Sequence, residues 1–343
     1  MKLKDHLTNK GIDIAKLLLP NFEQMATNVS ETIIENANFS QVSLYIQEQY
    51  GRFGNNIYQI LHAVTIARYV GLGAIECKFH FRNRSSESYV FDNIVLYFGI
   101  DEPSGPPEIR ATLFYPYGFE ECFKFLNYND VKSDAEKLGR LFFNQHADPI
   151  PSNKKTMAFH FRAGDIFAES GAVHPLYVQP PLSYYVLALD HISETIKDFE
   201  VCVIFEDERN PVIRSFINIL QGRDIPYVLQ SSSLENDAYS IATAHCIVSS
   251  FSTFCEALAL MSENIRRWYA FRTVTAHGDE MYPFIPNKFQ DIMHSDGVEL
   301  FVIDDQLGQY IKPKTWNSSA SQLEIMQSYP ISNLGVRKIQ ATN

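Results

Sequence analysis

The sequence predicts an α/β protein built from two Rossmann-like domains, whose parallel sheets face one another across a cleft. Three observations predict it. The second half alternates short apolar runs with helical patterns, as expected for a parallel sheet covered on both faces. The first half opens β-loop-α-β. Between them lies the polar, Pro/Ser-rich stretch PIPSNKK (149–155), in a chain whose 343 residues suit two domains.

In chain order, residues 1–40 read as a helical lead-in and Val42–Ile46 as a strand. GRFGNN (51–56) reads as a loop. Ile57, Ile60, Leu61, Val64, Ala67 and Val70 recur at helical spacing, and Gly71 and Gly73 stop that helix. Ala74–Phe81 is the next strand. The region 83–150 is less regular, with a loop at EPSGPP (102–107) and a helix over Lys132–Gln145. Further strands are expected at Met157–Arg162, Phe199–Glu206, Ile225–Leu229 and His245–Ser250. Helices are expected at Ser183–Ile196, Pro211–Leu220 and Asn236–Ala244, with another after Phe254. This gives domains over 1–150 and 151–305, and a tail over 306–343 that the pattern does not place.

Charge narrows the partners. Lys and Arg number 29 against 40 Asp and Glu, a formal charge of -11. Such a chain lacks the basic face that a nucleic-acid binder needs to displace counterions, or that docking on anionic lipid needs. Any anionic ligand must be held locally, by a few Arg side chains and backbone N–H groups. The five cysteines show no CxxC pair and read as reduced, buried thiols. The first residues lack the apolar core of a signal peptide, Asp13 and Lys16 interrupting them. The most apolar stretch, Ile241–Met261, holds His245 and Glu256 and is no membrane span. A cytoplasmic protein is expected.

Three segments suit anion chemistry. In GRFGNN, a glycine-flanked βα turn frees backbone N–H groups at a helix start, with Arg52 as a bidentate donor; a tight turn with a solvent-facing Arg fits equally. In MAFHFRAGDIF (157–167), strand alternation sends Met157, Phe159 and Phe161 to one face and His160 and Arg162 to the other, at the strand's C-terminal end. An imidazole beside an Arg suits a phosphate-bearing leaving group better than a divalent metal; Asp165 either orients this pair or caps the turn. In VSSFSTF (248–254), hydroxyls and N–H groups at a helix start form a second neutral anion cradle, or a plain N-cap. Two weaker features are HPLYVQPPLSYY (174–185), an aromatic wall for a sugar or an ordered loop on the core, and FEDER (205–209), a ribose-binding carboxylate or a solvated helix start.

These segments together resemble the fucosyltransferases. GRFGNN is similar to the GRFGNQ segment of protein O-fucosyltransferases and to GxLGNQ(L/M)FQ of α1,2-fucosyltransferases, Gln59 falling on the second Gln. HFRAGD (160–165) resembles the HxRRxD signature of α1,2- and α1,6-fucosyltransferases. Asp237 with Tyr239, followed by VSSFSTF, resembles the D-x-Y and SSFTxF segments. The resemblance implies a GT-B-type fold and an inverting, metal-independent transfer of fucose from GDP-fucose to a glycan hydroxyl. The GDP-sugar is then a donor substrate and no cofactor is required. Surface-polysaccharide synthesis, in the cytoplasm or peripheral to the inner face of the membrane, is the implied setting.

By position, the resemblance places Arg52, Gly54 and Asn55 at the donor phosphates and reaction centre. It places His160 and Arg162 on the diphosphate with Asp165 beside them, Asp237 at the nucleoside, and Ser250, Phe251, Ser252 and Thr253 around the phosphates. Ala163 stands at the second Arg of HxRRxD, and Asn56 where Gln follows GRFGN; both bear on donor identity. Asp165, Glu169 and His174 are candidate bases. The alternatives are a transferase with another nucleotide-sugar, a non-catalytic nucleotide- or glycan-binding protein, and a metal-dependent hydrolase using His160, Asp165 and His174.

Overall fold

The computed structural model describes residues 39–46, 48–49, 51–79, 87–102, 108–111, 128–143, 154–167, 178–274, 280–281, 287–311 and 319–340. The expected lead-in over 1–38, most of the EPSGPP and PIPSNKK stretches, and Cys122, Glu169 and His174 lie outside them. The chain divides into two compact units, 1–144 and 145–343.

Unit 1 carries strands β1 (Ser43–Ile46), β2 (Ala74–Cys77), β3 (Glu87–Phe91), β4 (Ile94–Phe98) and β5 (Glu108–Ala111), with helices α1 (Phe53–Val70) and α2 (Tyr128–Phe143). The sheet order is β3-β4-β2-β1-β5, parallel except for β3, which folds back on β4. The described residues of the irregular region thus hold three strands, and IVLYF (94–98) shows the alternation of a strand covered on one face. Helix α1 starts four residues before the apolar periodicity does: Arg52 is its extended N-cap, and Asn56 N–H donates to the Arg52 carbonyl at 3.1 Å. The expected GRFGNN loop is therefore mostly first helical turn. Gly71, at φ 86°, ends the helix, where its N–H and that of Leu72 both donate to the Ala67 carbonyl.

Unit 2 contains β6 (Lys155–Phe161), β7 (Phe199–Phe205), β8 (Tyr227–Gln230), β9 (Cys246–Val248), β10 (Arg267–Val274), β11 (Glu280–Met281), β12 (Glu299–Asp305) and β13 (Leu334–Lys338). Its helices are α3 (Leu182–Thr195), α4 (Val212–Gly222), α5 (Leu234–Ala242), α6 (Thr253–Met261), α7 (Asn287–Ser295) and α8 (Ala320–Ser328). The main sheet runs β13-β12-β10-β9-β6-β7-β8. All neighbours on this path are parallel except β13, which runs against β12. Read outward from β6, the six parallel strands have the Rossmann order 3-2-1-4-5-6. The α/β architecture with predominantly parallel sheets is what the alternating pattern predicts.

One face of β6 builds the core as alternation requires: Phe159 stacks on Phe216 at 4.9 Å and Phe161 on Tyr185 at 4.1 Å. The stretch expected as a tail is part of this unit. Helix α8 packs on α3 and α4, and β13 extends the sheet. The buried Asp305 carboxylate anchors it, accepting from Tyr329 Oη (2.6 Å), Thr273 Oγ1 (3.0 Å) and Tyr310 N–H (3.0 Å). Cys77, Cys202, Cys246 and Cys255 are free and buried, and burial pushes the Cys202 thiol up to about 12. Among the described residues, no helix is long and apolar enough to cross a membrane.

Candidate functional site

In unit 2 the strand order reverses between β6 and β9: the chain moves outward from β6 through β7 and β8, then returns to the other side of β6. Helices then leave neighbouring strand ends toward opposite faces, opening a crevice at the C-terminal edge where ligands bind in open α/β sheets. Both HFRAGD and VSSFSTF end strands there. The reversal brings together side chains 90 positions apart, His160 Nδ1 and Ser250 Oγ sharing a hydrogen bond of 2.8 Å. His160 is 7% exposed and packs against Phe254 of α6. Burial, aided by the charge of Arg162, holds its pKa down to about 3, so the ring is neutral.

Arg162 follows as the first residue after β6, partly exposed, its guanidinium on the Asp165 carboxylate at 2.8 Å. Asp165 therefore orients the Arg. The backbone is fixed as well: Asn210 Nδ2 donates to the Arg162 carbonyl at 2.9 Å, and Gly164 N–H reaches Asp207 at 3.5 Å. Gly164 sits at φ 66°, and a Cβ there would strike the Glu206 carboxylate. Ala163, the next residue of the turn, is fully buried.

Across the crevice, Ser252 is the N-cap of α6, its Oγ accepting from Phe254 N–H at 3.2 Å. Thr253 opens the helix, and Phe251 packs on the core. The N-cap expected as one of two readings is present, and it leaves Ser250 to His160. Ser249 is structural: its Oγ accepts from Trp268 Nε1 (2.9 Å) and donates to the Tyr269 carbonyl (3.1 Å). Asp237 on α5 accepts from Gln230 Nε2 at 3.0 Å; burial pushes its pKa up to about 6, and Glu206 adds to the rise. Glu206 thus lies at the end of β7, close to both the Gly164 turn and Asp237, while neighbouring Asp207 pairs with Arg209.

In unit 1, Arg52 is exposed and its side chain does not cap α1. Gly51 has φ 65°, and the Asn55 amide folds over it where a Cβ would stand. Asn55 Oδ1 is buried with no hydrogen-bond partner, and Gly54 is buried in the first turn. Asn56 and Gln59 are tied inward, Gln49 Nε2 donating to Asn56 Oδ1 (2.9 Å), Asn56 Nδ2 to Gln59 Oε1 (3.2 Å), and Gln59 Nε2 to the Glu48 carbonyl (2.9 Å). The Asn at 56 is thus a working member of an amide chain that docks α1 on the segment after β1.

Tyr184 and Tyr185 of HPLYVQPPLSYY are fully buried and form no sugar-stacking wall, while Tyr177 lies outside the described residues. Sequence reasoning missed what they do: their hydroxyls reach the two strand ends at the crevice. The Tyr-Tyr pair at a helix start was the available signal. Among the described residues, no group of His, Cys, Asp and Glu forms a metal-holding cluster. His174 lies outside them.

No family model matches the sequence, and no curated protein does. Among solved structures, the chain is similar to one titled "OtsA apo structure", at 6% identity and a TM-score of 0.28, over 67% of this chain and 84% of that one. It is also similar to an alpha,alpha-trehalose-phosphate synthase (UDP-forming) from Burkholderia xenovorans in complex with glucose-6-phosphate. There the identity is 10% and the TM-score 0.24, over 67% of this chain and 54% of that one. Both scores are low, and the roles assigned below rest on this chain's own residues.

Proposed function

We propose that the chain is a nucleotide-sugar-dependent glycosyltransferase, inverting and metal-independent, that moves fucose from GDP-fucose to a glycan hydroxyl. The observation that carries this reading is the His160–Ser250 contact at the strand-order reversal of unit 2, with Arg162 near enough to His160 for its charge to act on the ring. The acceptor oxygen attacks the anomeric carbon from the face opposite the leaving group. The bond to the diphosphate oxygen breaks with its electron pair, GDP departs, and the acceptor's proton passes to a base. The Arg162 fork and the amides at the α6 start offset charge growing on the leaving diphosphate. His160, neutral and tethered, fixes the Ser250 turn that approaches the phosphates. The half-buried Asp237 faces the nucleoside as an acceptor. The resemblance adds Arg52, Gly54 and Asn55 of unit 1 as donor contacts, tested separately by substitution. The buried free thiols favour a cytoplasmic, reducing setting, with the glycan made there destined for the cell surface.

One observation favours a second reading, the same transfer from a different nucleotide-sugar. Buried Ala163 leaves the β6 turn one guanidinium short of the fucosyltransferase signature. A thermal-shift screen with GDP, UDP, CMP and their sugars decides between them, since a ligand bound by the native state raises its stability by mass action. Selective stabilisation by GDP and GDP-fucose is expected. Selective stabilisation by UDP or CMP compounds transfers the reading to another donor, and no shift with any of them refutes it.

A further inference from the structure

We propose that Tyr184 and Tyr185 are positioning residues that set the spacing of the β6–β9 crevice and, through it, the His160–Ser250 contact; the inference rests on the reading that this crevice takes the nucleotide. The β6–β9 ladder pairs Met157 with Cys246, Ala158 with Ile247 and Phe159 with Val248, and ends there. One residue further, His160 and Ser249 have left that pairing, so the strands need another tie if the crevice is to keep a fixed width. The first turn of α3 supplies it. Tyr185 Oη donates to the His160 carbonyl at 3.2 Å, while Tyr184 Oη lies 2.9 Å from the Ser249 carbonyl and 2.9 Å from that of Tyr269.

Adjacent helical residues thus each take one side of the divergence, at the residue where the ladder stops. Both rings are fully buried and meet edge to face at 4.8 Å, Tyr185 also stacking on Phe161 and Tyr184 standing edge-on to Phe271 at 5.5 Å. Rings wedged in this way carry their hydroxyls with little freedom, so α3 acts as a fixed gauge between β6 and β9. Neither hydroxyl touches the crevice side chains; each acts through the carbonyl of a residue at, or next to, the His160–Ser250 pair.

The test uses the full chain with Tyr184→Phe and Tyr185→Phe, which keep ring volume and delete one hydroxyl each. The ligand-free readout is the 15N–1H spectrum of the His160 imidazole, identified with His160→Asn, with Ser250→Ala as the reference for a lost partner. Both Phe variants should move the His160 signals toward that reference and weaken GDP binding about fivefold to tenfold, as expected for a lost positioning hydrogen bond. Tyr310→Phe, which deletes a buried hydroxyl of the same aromatic cluster that is bonded to the Gln179 carbonyl instead of to a strand end, should lower stability and leave the His160 signals in place. Should a Phe variant not fold, 3-fluorotyrosine at the same position keeps the packing, strengthens the donor, and should shift the same signals. Unmoved His160 signals, or an equal change in Tyr310→Phe, overturn the proposal. If the wild-type chain binds no GDP, the nucleotide reading fails while the imidazole spectrum still decides the positioning role.

Discussion

The turns that start α1 and follow β6 use the same local device and secure it differently. Each has a glycine at nearly the same left-handed φ, 65° at Gly51 and 66° at Gly164, and each glycine is covered by a polar side chain that a Cβ would displace. At Gly51 the cover is Asn55, a half-buried residue of the helix that the turn begins. At Gly164 it is Glu206, arriving from the neighbouring strand with its end exposed. The first turn is held by near-sequence amides, Gln49, Asn56 and Gln59; the second by residues 43 to 90 positions away, Asp207, Asn210 and Ser250. A glycine-arginine turn can therefore be fixed locally or by tertiary wiring, and only tertiary wiring couples it to a second strand end.

The largest expected effect is at Arg162. On the proposed reading, Arg162→Ala should cost on the order of 100–1,000-fold in transfer rate with folding intact. Arg162→Lys should recover little, because the planar fork is lost. Near-normal turnover of Arg162→Ala, in a panel that also includes Arg52→Ala, would move the reacting centre away from the β6 turn.

Next is pH. His160 is a base whose folded pKa is depressed, so the stability it contributes is complete above its ordinary value of 6.5 and is lost as pH falls from there toward about 3. That amounts to about 2 kcal/mol by pH 5. Chemical denaturation across this range should show the loss in the wild-type chain and a flatter profile in His160→Gln. Asp237 has the opposite sign: its raised pKa makes it destabilising as pH rises through the window from 3.8 to about 6, and Asp237→Asn should remove that slope.

The glycine comparison gives a smaller effect. Gly164→Ala should cost about 1–2 kcal/mol, the strain of a left-handed alanine, because the atoms its Cβ meets are the far end of the long Glu206 side chain. Gly51→Ala should cost more, since Asn55 is held by its helix. Equal losses in melting experiments would show that the two covers yield equally.

The smallest effect is at the caps. Ser252→Ala should lose about 1 kcal/mol with the α6 cap. Arg52→Asp should gain a similar amount, because it installs the cap that α1 lacks while deleting the cation proposed to meet the donor. An Arg52→Asp variant that is both more stable and fully active would remove Arg52 from the site.

Much of the site was legible because its elements carry local signals. The two-residue period of MAFHF separates core from crevice face, and the apolar spacing of 57–70 marks α1. The GRFGNN loop was misread because helical hydrogen bonding needs only permissive backbone, and polar Asn55 and Asn56 accept it before the apolar period begins. Strands β3, β4, β5 and β13 escaped because runs of four or five residues are recognised by partners rather than by themselves; β10 and β12, at eight and seven residues with aromatic and β-branched side chains, were legible and were missed.

The sequence by itself determined the α/β alternation, the residues on each face of β6 and the glycines that permit its turns, all of which follow from side-chain period and backbone sterics. Tertiary structure alone decided the order of the strands. That order sets which strand end lies beside His160, because ladder hydrogen bonds are made by backbone groups that every residue shares. The His160–Ser250 contact, the tyrosine ties and the incorporation of 319–340 into unit 2 all depend on that choice.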